Sequence, residues 1–176
     1  RVENQPGKNE MWYVVDAAPD AHLILGFTQS VSREEIRQRI QENTLLEVLR
    51  KVPVKTGDCY CIPAGLVHAI GAGALIAEVQ QSSNVTYRVY DYDRRDANGN
   101  PRQLHIDKAL DVINPSLQAE NRTTDVLADW PYFRASLLSG DTRSLNIGPE
   151  SFQAILSLDS EARLEWAGGA LLLAPG

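Results

Sequence analysis

This chain of 176 residues has few cysteines, few histidines and no long apolar run, and each scarcity excludes something. Cysteine occurs twice, at Cys59 and Cys61. Two side chains at that spacing in a strand share a face and lie near the upper limit of disulfide reach, so both are expected as free thiols. That excludes a disulfide scaffold and points to a reducing compartment, the cytoplasm. A Cys-x-Cys pair is also a weak metal signal, with plain strand residues as the simpler reading. No apolar stretch approaches the roughly 20 residues of a membrane span; Ala170–Ala174 is only strand-sized. Arg1–Glu10 is polar and lacks the apolar centre of a signal peptide. Positive charge is outnumbered, 17 Lys and Arg against 23 Asp and Glu, for a net charge of −6. This balance argues against nucleic acid or an anionic membrane as the main partner, while a few local cations can still bind a phosphorylated small molecule.

What is present reads as many short strands with Gly and Pro punctuation, the pattern of a β-sandwich or barrel. Expected strands are Glu10–Val15, Leu23–Thr28, Val52–Lys55, Cys59–Ile62, Ala74–Gln80 and Val85–Tyr92. Ser32 followed by Glu35 is a capping-box start, and Ile36, Ile40, Leu45, Leu46 and Leu49 suit two short helices. His105–Ile113 reads as another helix, closed by Asn114-Pro115. Residues 115–130 look like a surface linker. A second β region follows, with strands expected at Tyr132–Leu138, Ser144–Ile147, Phe152–Leu158, Arg163–Trp166 and Ala170–Leu173, and it carries neither His nor Cys. The domain organisation is therefore 1–114, a linker over 115–130, and 131–176. Both ends of the sequence read as internal to a longer polypeptide.

Three stretches could carry chemistry. In Gly57-Asp58-Cys59-Tyr60-Cys61-Ile62-Pro63-Ala64-Gly65-Leu66-Val67-His68, two tight turns flank a strand, and the next strand opens on a His whose ring can point inward. A neutral imidazole there suits zinc, and a buried His in a generic hairpin is the bland alternative. In Gly7-Lys8-Asn9-Glu10-Met11-Trp12-Tyr13, alternation sets Glu10, Trp12 and Val14 on one face. Glu10 alone also reads as the solvated end of a strand. In the third stretch, Ile76 to Arg94, alternation puts Glu78 with Ile76 and Gln80, and Arg88 with Thr86, Tyr90 and Tyr92. A charged residue in mid-strand fits a barrel lumen that is a site, or equally a wetted sheet face bearing an ion pair.

The Gly-x5-Pro-x-Gly-x2-His spacing resembles the second motif of the cupins. Taken with Gly-Lys-x-Glu-Met-Trp-Tyr, Glu-x-Gln-Gln-x-Ser-x-x-Thr-Tyr-Arg-x-Tyr-Asp-Tyr-x-Arg and Arg102-Gln103-Leu104-His105, in that order, the chain resembles type I mannose-6-phosphate isomerases of the short bacterial form. The match is strong over about residues 6–114. The resemblance implies a mainly β fold, a cupin-type double-stranded β-helix or jelly-roll barrel, with a few short helices and a second, degenerate β region. It implies Glu10 and His68 as zinc ligands, Lys8 and Arg88 as substrate contacts, and Arg88 and Glu78 as catalytic residues. The substrate would be a phosphorylated sugar, with mannose 6-phosphate and fructose 6-phosphate interconverted. One departure stands out: the family's further ligands, from a Gln-x-His segment, have no counterpart upstream of Lys8. A non-catalytic sugar-phosphate-binding or structural cupin is the rival reading. An iron-dependent dioxygenase cupin is disfavoured, since no His-x-His occurs.

Overall fold

Strand β1 (Glu10–Ala17) is apolar on both faces along its first half, and the fold is organised around covering both. The structure, a computed structural model, describes residues 6–92, 94–140 and 142–176. The part of the expected amino-terminal loop before Pro6, together with Asp93 and Asp141, lies outside the described residues. Contacts divide the chain into one unit running to Leu137 and a second from Leu138 to Gly176.

In the first unit β1 is followed by β2 (His22–Phe27), α1 (Arg33–Gln41), a 3-10 turn at Leu45–Val48, β3 (Leu49–Pro53), β4 (Cys59–Ile62), β5 (His68–Ile70) and β6 (Ala74–Gln80). Then come α2 (Ile106–Val112), β7 (Glu120–Arg122), β8 (Val126–Asp129) and β9 (Arg134–Ser136). Two antiparallel sheets form, in the orders β6-β1-β4-β7 and β3-β2-β5, and β8 pairs with β9. Alternation assigns each strand's residues to separate cores. Trp12 and Val14 of β1, Tyr60 and Ile62 of β4, and Leu23 and Leu25 of β2 share one cluster, so it lies between the two sheets. The opposite face of β1 and β4 supplies Met11, Cys59 and Cys61, which pack on Leu127 and Ala128 of β8. On the far side of the smaller sheet, Ile24 and Phe27 are covered by Ile36 and Ile40 of α1 and Leu110 of α2. The layout is a cupin-type, mainly β sandwich whose sheets do not close into a barrel among the described residues.

Local chemistry explains several boundaries. Ser32 caps α1, its hydroxyl accepting the Glu35 N–H at 3.0 Å, and Glu35 and Arg39 pair one turn apart at 2.9 Å. Gly65 has φ +93°, and a Cβ there would stand 2.8 Å from the Val112 carbonyl, so only glycine fits this turn. Both thiols are buried and unpaired, and each faces the Leu127 carbonyl. Burial, helped by the neighbouring Cys61, pushes the Cys59 thiol up to about 12, which makes it unreactive at neutral pH.

Three expectations need correction. Val85–Tyr92 forms no strand. Its backbone partners lie elsewhere: Arg88 N–H donates to His105 Nδ1 at 3.2 Å, and the Arg88 carbonyl accepts the His105 N–H at 2.7 Å. Tyr92 then takes φ +56°, which ends any regular ladder. Residues 115–130, expected as a linker, supply β7 and β8, because the apolar face of Met11, Cys59 and Cys61 needs a cover. In the second unit the strands expected at Ser144–Ile147 and Phe152–Leu158 do not form. That unit has one antiparallel hairpin, β10 (Ala162–Trp166) with β11 (Gly169–Leu173), close to the strands expected there.

Candidate active site

The turn from Pro63 to His68 is tied down at several points before its histidine is presented. Leu66 N–H closes it on the Pro63 carbonyl at 3.1 Å. Ala64 N–H donates to Asn9 Oδ1 at 3.0 Å, which joins the turn to the start of β1. Gly26 N–H reaches the Val67 carbonyl at 2.8 Å, and Asn114 N–H the Gly65 carbonyl at 3.0 Å. β5 belongs to the smaller sheet, with His68 opposite Leu25, whereas Glu10 lies in the larger sheet between Ile62 and Gln80. The sandwich brings them together: His68 Nε2 lies 3.5 Å from Glu10 Oε1.

Glu10 is 1% exposed, and its two carboxylate oxygens differ. Oε2 accepts the indole N–H of Trp12 at 3.0 Å. Oε1 is buried and accepts no well-aligned hydrogen bond, although Lys8 Nζ is 3.1 Å away. Burial alone would raise the Glu10 pKa; the His68 imidazole and the Lys8 ammonium outweigh it and bring the group down to about 2. His68 is pulled down by burial but held above its ordinary value by the Glu10 carboxylate. Its Nδ1 is 2.8 Å from the Leu66 carbonyl. A carbonyl only accepts, so Nδ1 carries the hydrogen and the neutral ring offers its lone pair at Nε2.

Glu78 sits beside this pair, directly across from Trp12 and diagonal to Glu10. Partial burial, and then the negative charge of Glu10, raise its pKa, with Lys8 opposing. Lys8 Nζ is 4.0 Å from Glu78 and donates to Gln80 Oε1 at 2.7 Å. Two neighbouring carboxyls thus have pKa values pushed in opposite directions, a common arrangement where one binds and the other moves a proton.

Of the residues singled out in the sequence, the fold gathers Lys8, Glu10, His68 and Glu78. Arg88 has other contacts: the Gln103 carbonyl at 3.4 Å and Asp91 at 3.9 Å. Asp91 is buried and also pairs with Arg94 at 3.2 Å and with Arg102. Three guanidiniums thus surround one carboxylate, a local excess of positive charge in an acidic chain. Sequence reasoning missed Trp12, Gln80 and Asn9 as members of the site. Period-two alternation already places Trp12 with Glu10 and Gln80 with Glu78, so the signal for two of them was present.

A zinc ion suits this donor set in part. Glu10 Oε1 lacks a hydrogen-bond donor, and the His68 Nε2 lone pair faces it at 3.5 Å. Two ligands of one tetrahedral zinc stand roughly 3.3 Å apart. Among the described residues no three His, Cys, Asp or Glu side chains converge, and the candidate donors are Glu10 and His68.

The fold defines a cupin-type protein in which Glu10 and His68 are brought together from its two sheets. Over 166 residues, 88% of this chain, it is 39% identical to a mannose-6-phosphate isomerase of Streptococcus mutans, covering 52% of that protein. It is also 39% identical over 170 residues, 90% of the chain, to the mannose-6-phosphate isomerase ManA of Bacillus subtilis, covering 53% of it. The crystal structure of the Bacillus subtilis mannose-6-phosphate isomerase superposes with a TM-score of 0.76 at 29% identity, over 100% of this chain and 59% of that one. No protein-family model matches the chain. Across the region matched, the chain is similar to the mannose-6-phosphate isomerases, and it spans about half the length of those curated relatives.

Proposed function

We propose that this chain forms part of an isomerase that interconverts mannose 6-phosphate and fructose 6-phosphate. The observation that carries this reading is the gathering of Glu10, Glu78, His68 and Lys8, with Lys8 Nζ 3.1 Å from Glu10 and 4.0 Å from Glu78, and His68 Nε2 3.5 Å from Glu10. The printed names of the relatives supply the substrate class.

The barrier to such a reaction is removal of the proton on the carbon next to the sugar's carbonyl. Glu78, raised by burial and by Glu10, is a stronger base than an ordinary carboxylate and takes that proton in this scheme. It returns the proton to the carbonyl carbon, while the proton of the adjacent hydroxyl passes to the former carbonyl oxygen, so both hydrogens move in the same direction and the product is an isomer with every atom conserved. Lys8, steered by Gln80, donates to the oxygen on which negative charge develops. Glu10 and His68 would hold zinc, which when bound polarises the substrate's oxygens. Lys8 already has Gln80 and Glu78 as partners other than Glu10. Arg88 serves electrostatically, and with Arg94 and Arg102 it supports an anionic substrate. A catalytic zinc takes three protein ligands, so a further one is required beyond this pair.

The second reading is a non-catalytic sugar-phosphate-binding or structural cupin, favoured by the two-residue donor set. Among the described residues no helix is long and apolar enough to cross a membrane. The two free thiols support the cytoplasm as the compartment. Glu78→Gln separates the two functional readings. In a coupled mannose 6-phosphate assay on the zinc-loaded protein, kcat should fall by about 10² to 10⁴. A parent protein that holds zinc and sugar phosphate without turnover would establish the second reading instead.

A further inference from the structure

Trp12 is 3% exposed and touches both members of the proposed metal pair. Its indole N–H donates to Glu10 Oε2 at 3.0 Å. Its ring meets the His68 imidazole in a T-shaped contact, with centroids 5.2 Å apart and planes at 80°. β1 supplies both Trp12 and Glu10, and their shared face follows from the strand's period of two. Tyr60 and Glu78 flank Trp12 on the neighbouring strands, so the ring has little room to turn.

These contacts set one donor atom on each partner toward the same point. With Oε2 engaged by the indole, Oε1, which has no well-aligned hydrogen bond and lies near His68 Nε2, is the better-placed donor of the carboxylate. With Nδ1 engaged by the Leu66 carbonyl, the imidazole can offer only Nε2, and the T-shaped contact with Trp12 restricts the tilt of the ring. We propose that Trp12 is a positioning residue that fixes Glu10 as a one-oxygen ligand and orients His68 toward the same point. This assignment rests on the zinc reading above. Outer-shell hydrogen bonds of this kind hold ligand geometry, and their loss typically weakens metal binding 10- to 100-fold.

The test compares the parent with Trp12→Phe, which keeps an aromatic wall against His68 but removes the N–H, and with Val14→Ala. Val14 is fully buried in the same strand and cluster, and its aliphatic side chain cannot hydrogen-bond to either ligand, so its truncation reports loss of packing alone. The intact protein is stripped of metal, and Zn²⁺ is titrated against a chromophoric chelator. The visible spectrum of the Co²⁺ form and the Tm of the metal-free form are recorded as well. Trp12→Phe should weaken Zn²⁺ binding by about 10- to 100-fold and alter the Co²⁺ bands, while Val14→Ala should lower Tm and leave both unchanged. If Trp12→Phe binds Zn²⁺ within twofold of the parent, with the parent's Co²⁺ spectrum, Trp12 is only core and the proposal is overturned. If the parent itself binds no Zn²⁺, the zinc reading falls first and takes this one with it. Should Trp12→Phe fail to fold, benzothienylalanine introduced at position 12 keeps the indole's shape without its N–H and carries the same comparison.

Discussion

The two units of this chain put similar alternating sequence to different ends. In the first, Trp12 and Val14 point to one core and Met11 to another, and each cluster is closed by a second sheet, a helix or β8. In the second, Ile147 is 70% exposed, Phe152 84% and Leu156 61%, and none of the described residues after Ala128 belongs to the buried core. Residues 144–158, as apolar as many strands, form none. A strand's ladder and its apolar face support each other, because a two-stranded hairpin with no surface to cover it is marginal in water. The candidate chemistry follows the same division: Lys8, Glu10, His68 and Glu78 all lie in the first unit, and Glu10 comes from β1, which is packed on both faces.

The comparison can be broken or sharpened by experiment. The largest effect should come from the site: Glu10→Ala removes one of the two proposed zinc donors and leaves His68 and Lys8 without their carboxylate partner, so the proposed isomerase turnover should fall at least as far as in Glu78→Gln. Next, Leu23→Ala in the inter-sheet core should cost about 3 kcal/mol in urea unfolding, whereas Phe152→Ala should stay within about 0.5 kcal/mol. A loss of 2 kcal/mol or more for Phe152→Ala would overturn the view that the second unit holds no core of its own. A smaller effect is expected at α1, where Ser32→Ala should cost about 1 kcal/mol by removing the cap on the Glu35 N–H.

The smallest effect is a pH dependence. Arg102 first, aided by Arg94 and Arg88 and opposed by burial, lowers Asp91 to about 2. A carboxyl depressed in the folded state contributes stability that is present above its unfolded value, near 3.9, and is lost as pH falls through about 2. Asp91→Asn should therefore lower Tm at pH 6, and the gap to the parent should narrow as pH drops from about 4 toward 2. Glu10 is also depressed to about 2 and titrates in that window, so the variant's acid limb is flattened rather than abolished. A gap that stays constant from pH 6 to pH 2 would count against an ionised, arginine-held Asp91.

Much of the first unit could be read in advance because its signals are local. The strands near Glu10, Leu23, Cys59 and Ala74, the Ser32 cap and the turn ahead of His68 depend on alternation, capping and glycine geometry, which act over a few residues. Val85–Tyr92 was misread because its alternation is real while its backbone partner is His105, seventeen positions away. β7 and β8 were missed because nothing in the polar stretch from Pro115 to Trp130 announces the sheet edge and apolar face it covers.

By itself, then, the sequence determined the mainly β character, the turns, the α1 cap and the presence of Glu10 and His68 at strand starts, since each follows from interactions among near neighbours. Only the tertiary structure decided that a residue of the larger sheet and one of the smaller meet at 3.5 Å. It also decided that the proton affinities of Glu10 and Glu78 are pushed in opposite directions and that the Trp12 indole engages one carboxylate oxygen of Glu10. Those properties depend on burial and on charges brought together from distant parts of the chain, and no local pattern encodes either.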